Sequence, residues 1–282
     1  MAGLRDIKRR IRSVKNNKQI TKAMEMVSAA KLRRAQARLE AARPYGHKLQ
    51  ELLENLAGSA AEVAHPLFDV RPVNRRVLVL ITADKGLAGS YNATVIRRAE
   101  AFLNSDEGRN TDLVTVGKKG RDYFRRRGLE SKKHFQELGD QVDFAKATAI
   151  SREIVELFET GAADEILVLG TRFISAMSRS VQIEKFLPIA PPEGVETTGY
   201  IFEPNAEAIF GSLVPRFVGN RMLMSLLEAS ASEHGARMVA MGSASRNADE
   251  MIEKLTLLHN RARQAAITKE IAEIVGGAGA LT

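Results

Sequence analysis

The sequence predicts an α/β fold with two additional long helices. The N- and C-terminal helices are expected to form an antiparallel coiled coil, with a Rossmann-like α/β domain inserted between them. At both ends of the chain, apolar residues recur every three or four positions, which is typical of coiled-coil helices. Between the ends, short continuous apolar runs alternate with helical patterns, which is typical of a mostly parallel sheet. Both long helices join the inserted domain, so they run in opposite directions if they pair. We expect boundaries at residues 1–58, 74–190 and 205–282.

The first helix is predicted over residues 2 to about 57. Three apolar sets indicate the face that contacts the partner helix, with a six-residue jump between the first and second sets: Leu4, Ile7, Ile11, Val14; Ile20, Ala23, Val27, Ala30; and Leu32, Ala35, Leu39, Ala42. Such a break in the heptad shifts the contact face sideways. Pro44 is a candidate kink, and Gly58 with Ser59 marks the end of the helix.

The middle of the chain has the pattern of an α/β domain. The run RVLVLIT over 76–82 predicts a strand buried on both faces, and EILVL over 165–169 predicts another. The remaining elements are predicted as strands at 113–116, 130–138 and 181–187, the last at a sheet edge, and helices at 87–103, 119–127 and 142–160. Four prolines within 188–204 indicate a linker to the second long helix.

The last helix is predicted to begin near Asn205 or Ala206, after Pro204. Its contact face follows a heptad: Met241, Ala244, Ala248, Met251, Leu255, Leu258, Ala262 and Ala265. Alanine at these positions allows two helices to approach closely. This helix is longer than the first, so we expect its tip, around residues 267–275, to extend beyond Met1.

Charge is concentrated at the N-terminus. The chain carries a net charge of +8. Residues 1–48 hold fourteen Lys and Arg against three Asp and Glu, whereas residues 206–282 hold eight of each. A partner rich in acid or phosphate is therefore expected at the first helix. The absence of cysteine excludes a disulfide framework, a thiolate metal site and a thiol nucleophile. The N-terminus lacks the apolar core of a secretory signal, and no apolar run is long enough to span a membrane.

Two glycine-containing turns are candidate phosphate sites, because each follows a predicted strand and opens a helix. The turn at 82–90 has the spacing G-x-x-G, and the turn at 117–120 lacks the Ser or Thr of a Walker motif. A plain strand-to-helix turn, with Asp84 as a cap, is the better interpretation of the first. The five histidines are scattered, and the acidic residues form no metal-binding or catalytic cluster. We therefore expect no catalytic residue, metal or cofactor.

Several segments resemble the gamma subunits of F-type ATP synthases, in particular those of bacteria. They are IKRRIRSVKN at 7–16, QITKAMEMVSAAKL at 19–32, ARMVAM at 236–241, SRNA at 245–248, NRARQAAITKEI at 260–271 and EIVGGA at 273–278. The turn DKGLAG at 84–89 resembles the family's Asp-Arg-Gly-Leu-Cys-Gly turn, with Lys85 in place of Arg and Ala88 in place of Cys.

The resemblance implies a non-catalytic rotor on the cytoplasmic face of the cell membrane. The coiled coil would lie inside a ring of alpha and beta subunits, and the α/β domain would hold the epsilon subunit and the c-subunit ring. Contacts with the beta-subunit levers would involve Lys22 and Met24. A hydrogen-bonded catch would involve Arg237, Gln264 and Thr268.

Two other functions compete with this hypothesis. The basic first helix could bind nucleic acid, although it has no aromatic residue before Tyr45, and single-strand binders usually place aromatics among their cations. The α/β domain could belong to a nucleotide-dependent enzyme, although neither turn carries a complete phosphate-binding motif.

Overall fold

The computed structural model describes residues 3–59, 65–136, 142–189 and 206–279. It divides into two compact units. One contains the chain up to Val27 and from Met238 onward, and the other contains Ser28–Arg237. Two long helices, α1 (Leu4–Ser59) and α5 (Ala206–Gly279), pass through both units. The predicted order of elements is confirmed.

The larger unit contains a five-stranded sheet in the order β3-β2-β1-β4-β5. The strands are β1 (Arg76–Ile81), β2 (Thr111–Val116), β3 (Lys133–Phe135), β4 (Glu165–Phe173) and β5 (Arg179–Leu187). The first four strands are parallel to their neighbours, and β5 pairs antiparallel with β4 at the sheet edge. The chain passes from β1 to β2 on one side and later to β4 on the other. This reversal of strand order at β1 gives the domain its Rossmann-like topology.

Helices cover both faces of the sheet. They are α2 (Tyr91–Leu103), α3 (Lys118–Arg125) and α4 (Phe144–Glu159). Alternate residues of β1 point to opposite faces. Val77, Val79 and Ile81 pack in the cluster that includes α4 and the inner parts of α1 and α5. Leu78 and Leu80 pack in the cluster that includes α2. Burial on both faces explains the continuous apolar run that marked this strand in the sequence.

Some predicted boundaries were wrong. Helix α2 begins at Tyr91 rather than at residue 87, because Leu87 and Gly89 both have positive φ and form a turn. The strand predicted over 130–138 spans only Lys133–Phe135, and residues 137–141 lie outside the described residues. The predicted linker also lies outside them, apart from Pro188 and Ile189. Helix α1 continues through Pro44, and α5 continues through Pro215.

The two long helices are antiparallel within each unit. In the smaller unit, Lys18 Nζ lies 2.5 Å from Asp249 Oδ1. A Cβ atom added at Gly242 would lie 3.2 Å from Glu25 Oε1, so Gly242 makes room for this carboxylate. In the larger unit, a Cβ added at Gly46 would lie 2.8 Å from Asn220 Nδ2. In both units, later residues of α1 are opposite earlier residues of α5.

The contact face of α1 keeps a strict heptad, without the predicted jump. Its buried and partly buried positions include Leu4, Ile7, Ile11, Val14, Lys18, Thr21, Glu25, Ser28, Leu32, Ala35, Leu39 and Ala42. The second predicted set was wrong, since Ile20 and Val27 are 57% and 54% exposed. Ala23 and Ala30 are exposed as well. Polar residues continue the contact face here, and the apolar residues lie outside it.

The contact face of α5 agrees with the prediction only in part. Its covered positions include Met241, Ser245, Ala248, Ile252, Leu255, His259 and Ala262. The predicted Ala244 is partly buried as well, whereas the predicted Ala265 is exposed. The predicted members Met251 and Leu258 are instead 52% and 50% exposed. A heptad contains both three- and four-residue steps, so the position of the partner helix decides which neighbour is covered. Ser245 and His259 are polar and gave no hydrophobic signal.

Candidate functional site: the exposed surfaces of the paired helices

Lys22 lies on the outer surface of α1. Its side chain is 56% exposed, and its Nζ lies 3.1 Å from Glu25 Oε2 on the next turn. Glu25 is more covered, with 26% of its side chain exposed. Exposed pairs of this kind contribute about 0–1 kcal/mol to stability. The Lys22 ammonium can therefore exchange Glu25 for another carboxylate at little energetic cost.

Met24 has a different environment from that of Lys22. It is partly buried, and it interacts with another group of the chain. The exposed apolar residues nearby are Ile20, Ala23, Met26 and Val27. Ile20, Ala23 and Val27 follow helical spacing and form one stripe, which we call the α1 stripe. The helical spacing of these residues is visible in the sequence, where it wrongly predicted that they lie in the face that contacts α5.

Arg237 is buried within the larger unit, with 8% of its surface exposed. Its Nε and Nη2 atoms donate to the backbone oxygen of Gly86, at 3.2 and 3.1 Å. The Nη2 atom also lies 2.5 Å from a carboxylate oxygen of Glu233, one turn earlier in α5. Nη1 lies 3.3 Å from Nδ1 of His234. Arg237 therefore fixes the turn after β1 to α5, a role that sequence reasoning missed because the partner is a backbone oxygen.

Gln264 and Thr268 are exposed, and they belong to the smaller unit. They lie one turn apart on the same face of α5, and the Thr268 hydroxyl donates to the Gln264 backbone oxygen at 3.0 Å. Arg237 belongs to the other unit, so the catch formed by these three residues stays a prediction.

The turn after β1 uses its polar groups internally. Asp84 accepts a hydrogen bond from the Lys118 backbone N–H at 2.9 Å. Asn92 accepts one from the Ala83 N–H at 2.9 Å. The adjoining cavity measures about 180 Å³, whereas ligand pockets usually span about 300–1,000 Å³. The geometry favours a structural turn, but Asp84 binds the first N–H of α3 and not the helix that follows its own turn.

The described residues contain neither a metal-binding cluster nor a membrane-spanning helix. No group of three or more His, Asp and Glu side chains among them could hold a metal ion. None of the described helices is long and apolar enough to cross a membrane. The surfaces with distinctive chemistry are instead the basic outer side of α1 and the exposed tip of α5. The fold and these surfaces define a coiled-coil interaction protein with an inserted α/β domain.

Comparison with known proteins identifies the family. The family model described as ATP synthase matches residues 3–281. The chain is 50% identical over 281 residues to the ATP synthase gamma chain of Desulfitobacterium hafniense, with 100% of both chains covered. It is 51% identical over 282 residues to that of Moorella thermoacetica, again with 100% of both chains covered. The chain therefore belongs to the ATP synthase gamma chain family.

Solved structures share the fold. The central stalk and c-ring structure of the Tetrahymena thermophila mitochondrial ATP synthase contains a chain that is 28% identical, with a TM-score of 0.63. The alignment covers 80% of the present chain and 99% of that chain. A chain of the Euglena gracilis mitochondrial enzyme is 18% identical, with a TM-score of 0.71 and coverage of 99% and 94%. This second likeness supports the fold.

Family membership decides between the competing functions. A gamma chain is a non-catalytic subunit of its complex, so the chain is not itself an enzyme. The nucleic-acid hypothesis has no support among the relatives. The positive charge of α1 therefore needs an explanation within a protein complex.

Proposed function

We propose that this chain is the rotor of the central stalk of an ATP synthase. It would couple ion flow through the membrane sector to ATP synthesis or hydrolysis in the alpha–beta ring. The observation that carries this proposal is the antiparallel pairing of α1 and α5, in a chain that matches bacterial gamma chains over its whole length. The tip of α5 adds support, because Ile267, Ile271 and Ile274 are 48%, 57% and 68% exposed and could contact a surrounding protein.

The coupling would follow from the asymmetry of the helix pair. One side presents the cations and apolar stripe of α1, and the other presents the electrically balanced surface of α5. Three sites around such a shaft meet different surfaces at any one orientation, so their nucleotide affinities differ. Rotation then passes each affinity state from one site to the next. The reactive groups belong to the ring, and this chain supplies differential contacts.

The proposed lever contact combines charge with apolar area. Lys22 offers an exposed ammonium, and its ion pair with Glu25 is a weak surface pair. Beside it, the α1 stripe offers an apolar surface to the lever. Met24 is partly buried, so we propose that it acts mainly by fixing the local packing of α1. Weak, exchangeable pairs suit a rotor because every contact has to be released during a turn.

The proposed catch divides into two parts. Gln264 and Thr268 present an exposed amide and hydroxyl that can bond directly to a ring subunit. Arg237 would have to give up Glu233 or Gly86 before it could bond to a partner. We therefore propose an indirect role for Arg237, in which it holds the turn after β1 in a fixed position.

The remaining partners are proposed from the family. The α/β domain would bind the epsilon subunit and the c-subunit ring, and the chain would reach the membrane only through this complex. Its place would be peripheral, on the cytoplasmic face of the cell membrane. We propose no nucleic-acid partner and no bound cofactor.

Purification through an affinity tag on this chain tests the proposal. We expect alpha, beta, epsilon and c subunits to co-purify, and the reconstituted complex to pump ions when supplied with ATP. Omitting this chain during reconstitution should abolish pumping while leaving the ring subunits folded. Isolation of the tagged chain without alpha and beta subunits would refute the proposal.

A further inference from the structure

A cavity of about 490 Å³ lies between α1, the last two strands of the sheet and α5. Every residue that lines it belongs to the larger unit. Its volume is within the range of about 300–1,000 Å³ that ligand pockets usually span. Apolar side chains such as Phe217 and Met224 line it together with charged ones. The cavity is therefore a candidate site for a small molecule, and we call it the β5 cavity.

Asn220 lines the β5 cavity with an amide that the fold does not use. Only 3% of the residue is exposed, and its Oδ1 atom accepts no hydrogen bond from any described residue. Gly46 of α1 leaves room for this amide, because a Cβ there would lie 2.8 Å from Asn220 Nδ2. A half-turn of the amide exchanges its oxygen and nitrogen positions, so it can offer a ligand either an acceptor or a donor. An unpaired buried acceptor costs stability, and native folds seldom keep one without a role.

Two arginines that line the β5 cavity are unpaired. Arg43 of α1 and Arg172 of β4 are exposed, and neither forms an ion pair or a side-chain hydrogen bond with a described residue. The other lysine and arginine of the lining are engaged. Arg221 donates to the Lys185 backbone oxygen at 2.8 Å, and Lys185 Nζ lies 3.1 Å from Glu165 Oε1. Guanidinium groups without a partner favour a carboxylate ligand, which they can bind through two parallel N–H bonds.

Glu228 gives the β5 cavity a negative group as well. It is partly buried on α5, about two helical turns after Asn220 and on the same side of the helix. Burial raises the pKa of Glu228, whereas the nearby charges of Arg172 and Arg43 oppose this rise. No described residue forms an ion pair with Glu228. Opposite charges that are near one another but unpaired leave space between them for a ligand that carries both signs of charge.

We propose that the β5 cavity binds a short peptide with free termini and an apolar side chain. Arg43 and Arg172 would bind its carboxylate, and Glu228 would bind its ammonium. The Asn220 amide would bond to the peptide backbone, and the apolar part of the lining would cover the side chain. The site takes no part in the lever and catch contacts, so it does not depend on the rotor function.

Calorimetric titration of the purified full chain with matched probes tests the proposal. The probes are the dipeptide leucyl-leucine, its C-terminal amide, its N-acetyl form and inorganic phosphate. We expect leucyl-leucine to bind at millimolar concentration or below, with one site per chain. Loss of either terminal charge should weaken binding about tenfold. Failure of leucyl-leucine to bind at millimolar concentration would show an ordinary solvated crevice and overturn the proposal. Equal binding of phosphate, or of either blocked dipeptide, would overturn it as well.

Substitutions place the binding in the β5 cavity and separate it from folding. Arg172→Gln should weaken leucyl-leucine binding about tenfold. Arg152→Gln is the matched control, because Arg152 is exposed on α4, does not line the cavity and has no ion pair among the described residues. Asn220→Leu removes an unpaired amide at similar size, so it should weaken binding while hydrogen exchange around residue 220 stays unchanged or slows. Equal weakening by the two arginine changes, or unchanged binding in both Arg172→Gln and Asn220→Leu, would overturn the proposal.

Discussion

The contact face of α5 can be tested by changing two leucines three residues apart. Leu255 is partly buried in the contact face, whereas Leu258, which the heptad in the sequence favoured, is 50% exposed. Ile271 and Ile274, at the exposed tip of α5, are 57% and 68% exposed. The exposed fraction of Leu258 is close to these values, so most of the cover on Leu258 comes from neighbouring residues of α5 itself. We expect Leu255→Ala to weaken the pairing of α1 with α5, and Leu258→Ala to have little effect.

The magnitude follows from the carbon atoms removed. Leu→Ala deletes three carbons, and each buried one contributes about 0.8 kcal/mol. If α1 covers about half of the Leu255 side chain, the loss is about 1.2 kcal/mol. Leu258→Ala should stay within about 0.5 kcal/mol, as expected for a surface position. Both changes have the same small effect on helix propensity, so the difference between them reports on packing.

Hydrogen exchange of the full chain is the appropriate assay. The chain has two compact units, so a single melting curve need not report on this pairing. A loss of about 1.2 kcal/mol corresponds to about sevenfold faster exchange in the α5 peptides that contain residue 255. If Leu258→Ala accelerated exchange as much as or more than Leu255→Ala, the contact face assigned to α5 would be wrong.

Three further outcomes are expected. Ala262→Phe should destabilise the helix pair by about 1–3 kcal/mol through overpacking. Glu165→Gln should cost about 1 kcal/mol at pH 7. Burial disfavours the charged form of Glu165, but bonds from Arg76 and Lys185 outweigh it and lower its pKa. The stability from Glu165 is therefore complete above the unfolded pKa of about 4.3, and it is lost as pH falls through the folded value. Met24→Lys should lower the ratio of ions pumped to ATP hydrolysed, because it disturbs the local packing of α1 and adds a charge that favours one angular state. Lys22→Ala should change this ratio little.

Each of these outcomes has its own measurement. For Ala262→Phe, unchanged hydrogen exchange in α5 and unchanged assembly would mean that residue 262 faces away from α1. For Glu165→Gln, denaturant unfolding should show a larger difference at pH 7 than at pH 3, and an equal difference at both would contradict the assignment. For the coupling pair, hydrolysis and pumping are measured in reconstituted vesicles. Uncoupling by Lys22→Ala alone would contradict the proposed roles of the two residues.

The order of elements was predictable because a strand that is buried on both of its faces leaves a continuous apolar run in the sequence. RVLVLIT is apolar throughout because β1 has helices on both of its faces. The antiparallel direction of α1 and α5 followed from connectivity alone. The start of α2 was not predictable from apolar spacing, since it depends on the positive φ of Leu87. Such a value is rare for leucine and has no signal in the side-chain pattern.

The candidate site was less predictable than the fold. Lys22, Gln264 and Thr268 are exposed, and an exposed position is what a partner contact requires. Arg237 could not be assigned from sequence, because its main partner is the backbone oxygen of Gly86, 151 residues earlier in the chain. The same difficulty affects Gly242, whose role depends on the Glu25 carboxylate across the helix pair.

The middle of α1 explains why hydrophobicity misled the sequence analysis there. Lys18, Thr21 and Glu25 occupy the contact face, and they bring an ion pair and a close Glu–Gly contact to the helix pair. Ile20 and Val27, which would have stabilised the pair more, remain exposed. A chain selected only for helix pairing would place these residues the other way round, because burial of apolar area is the stronger effect. The arrangement therefore makes sense for a helix that is recognised on its outer surface, with part of its own stability given up so that the apolar residues face a partner.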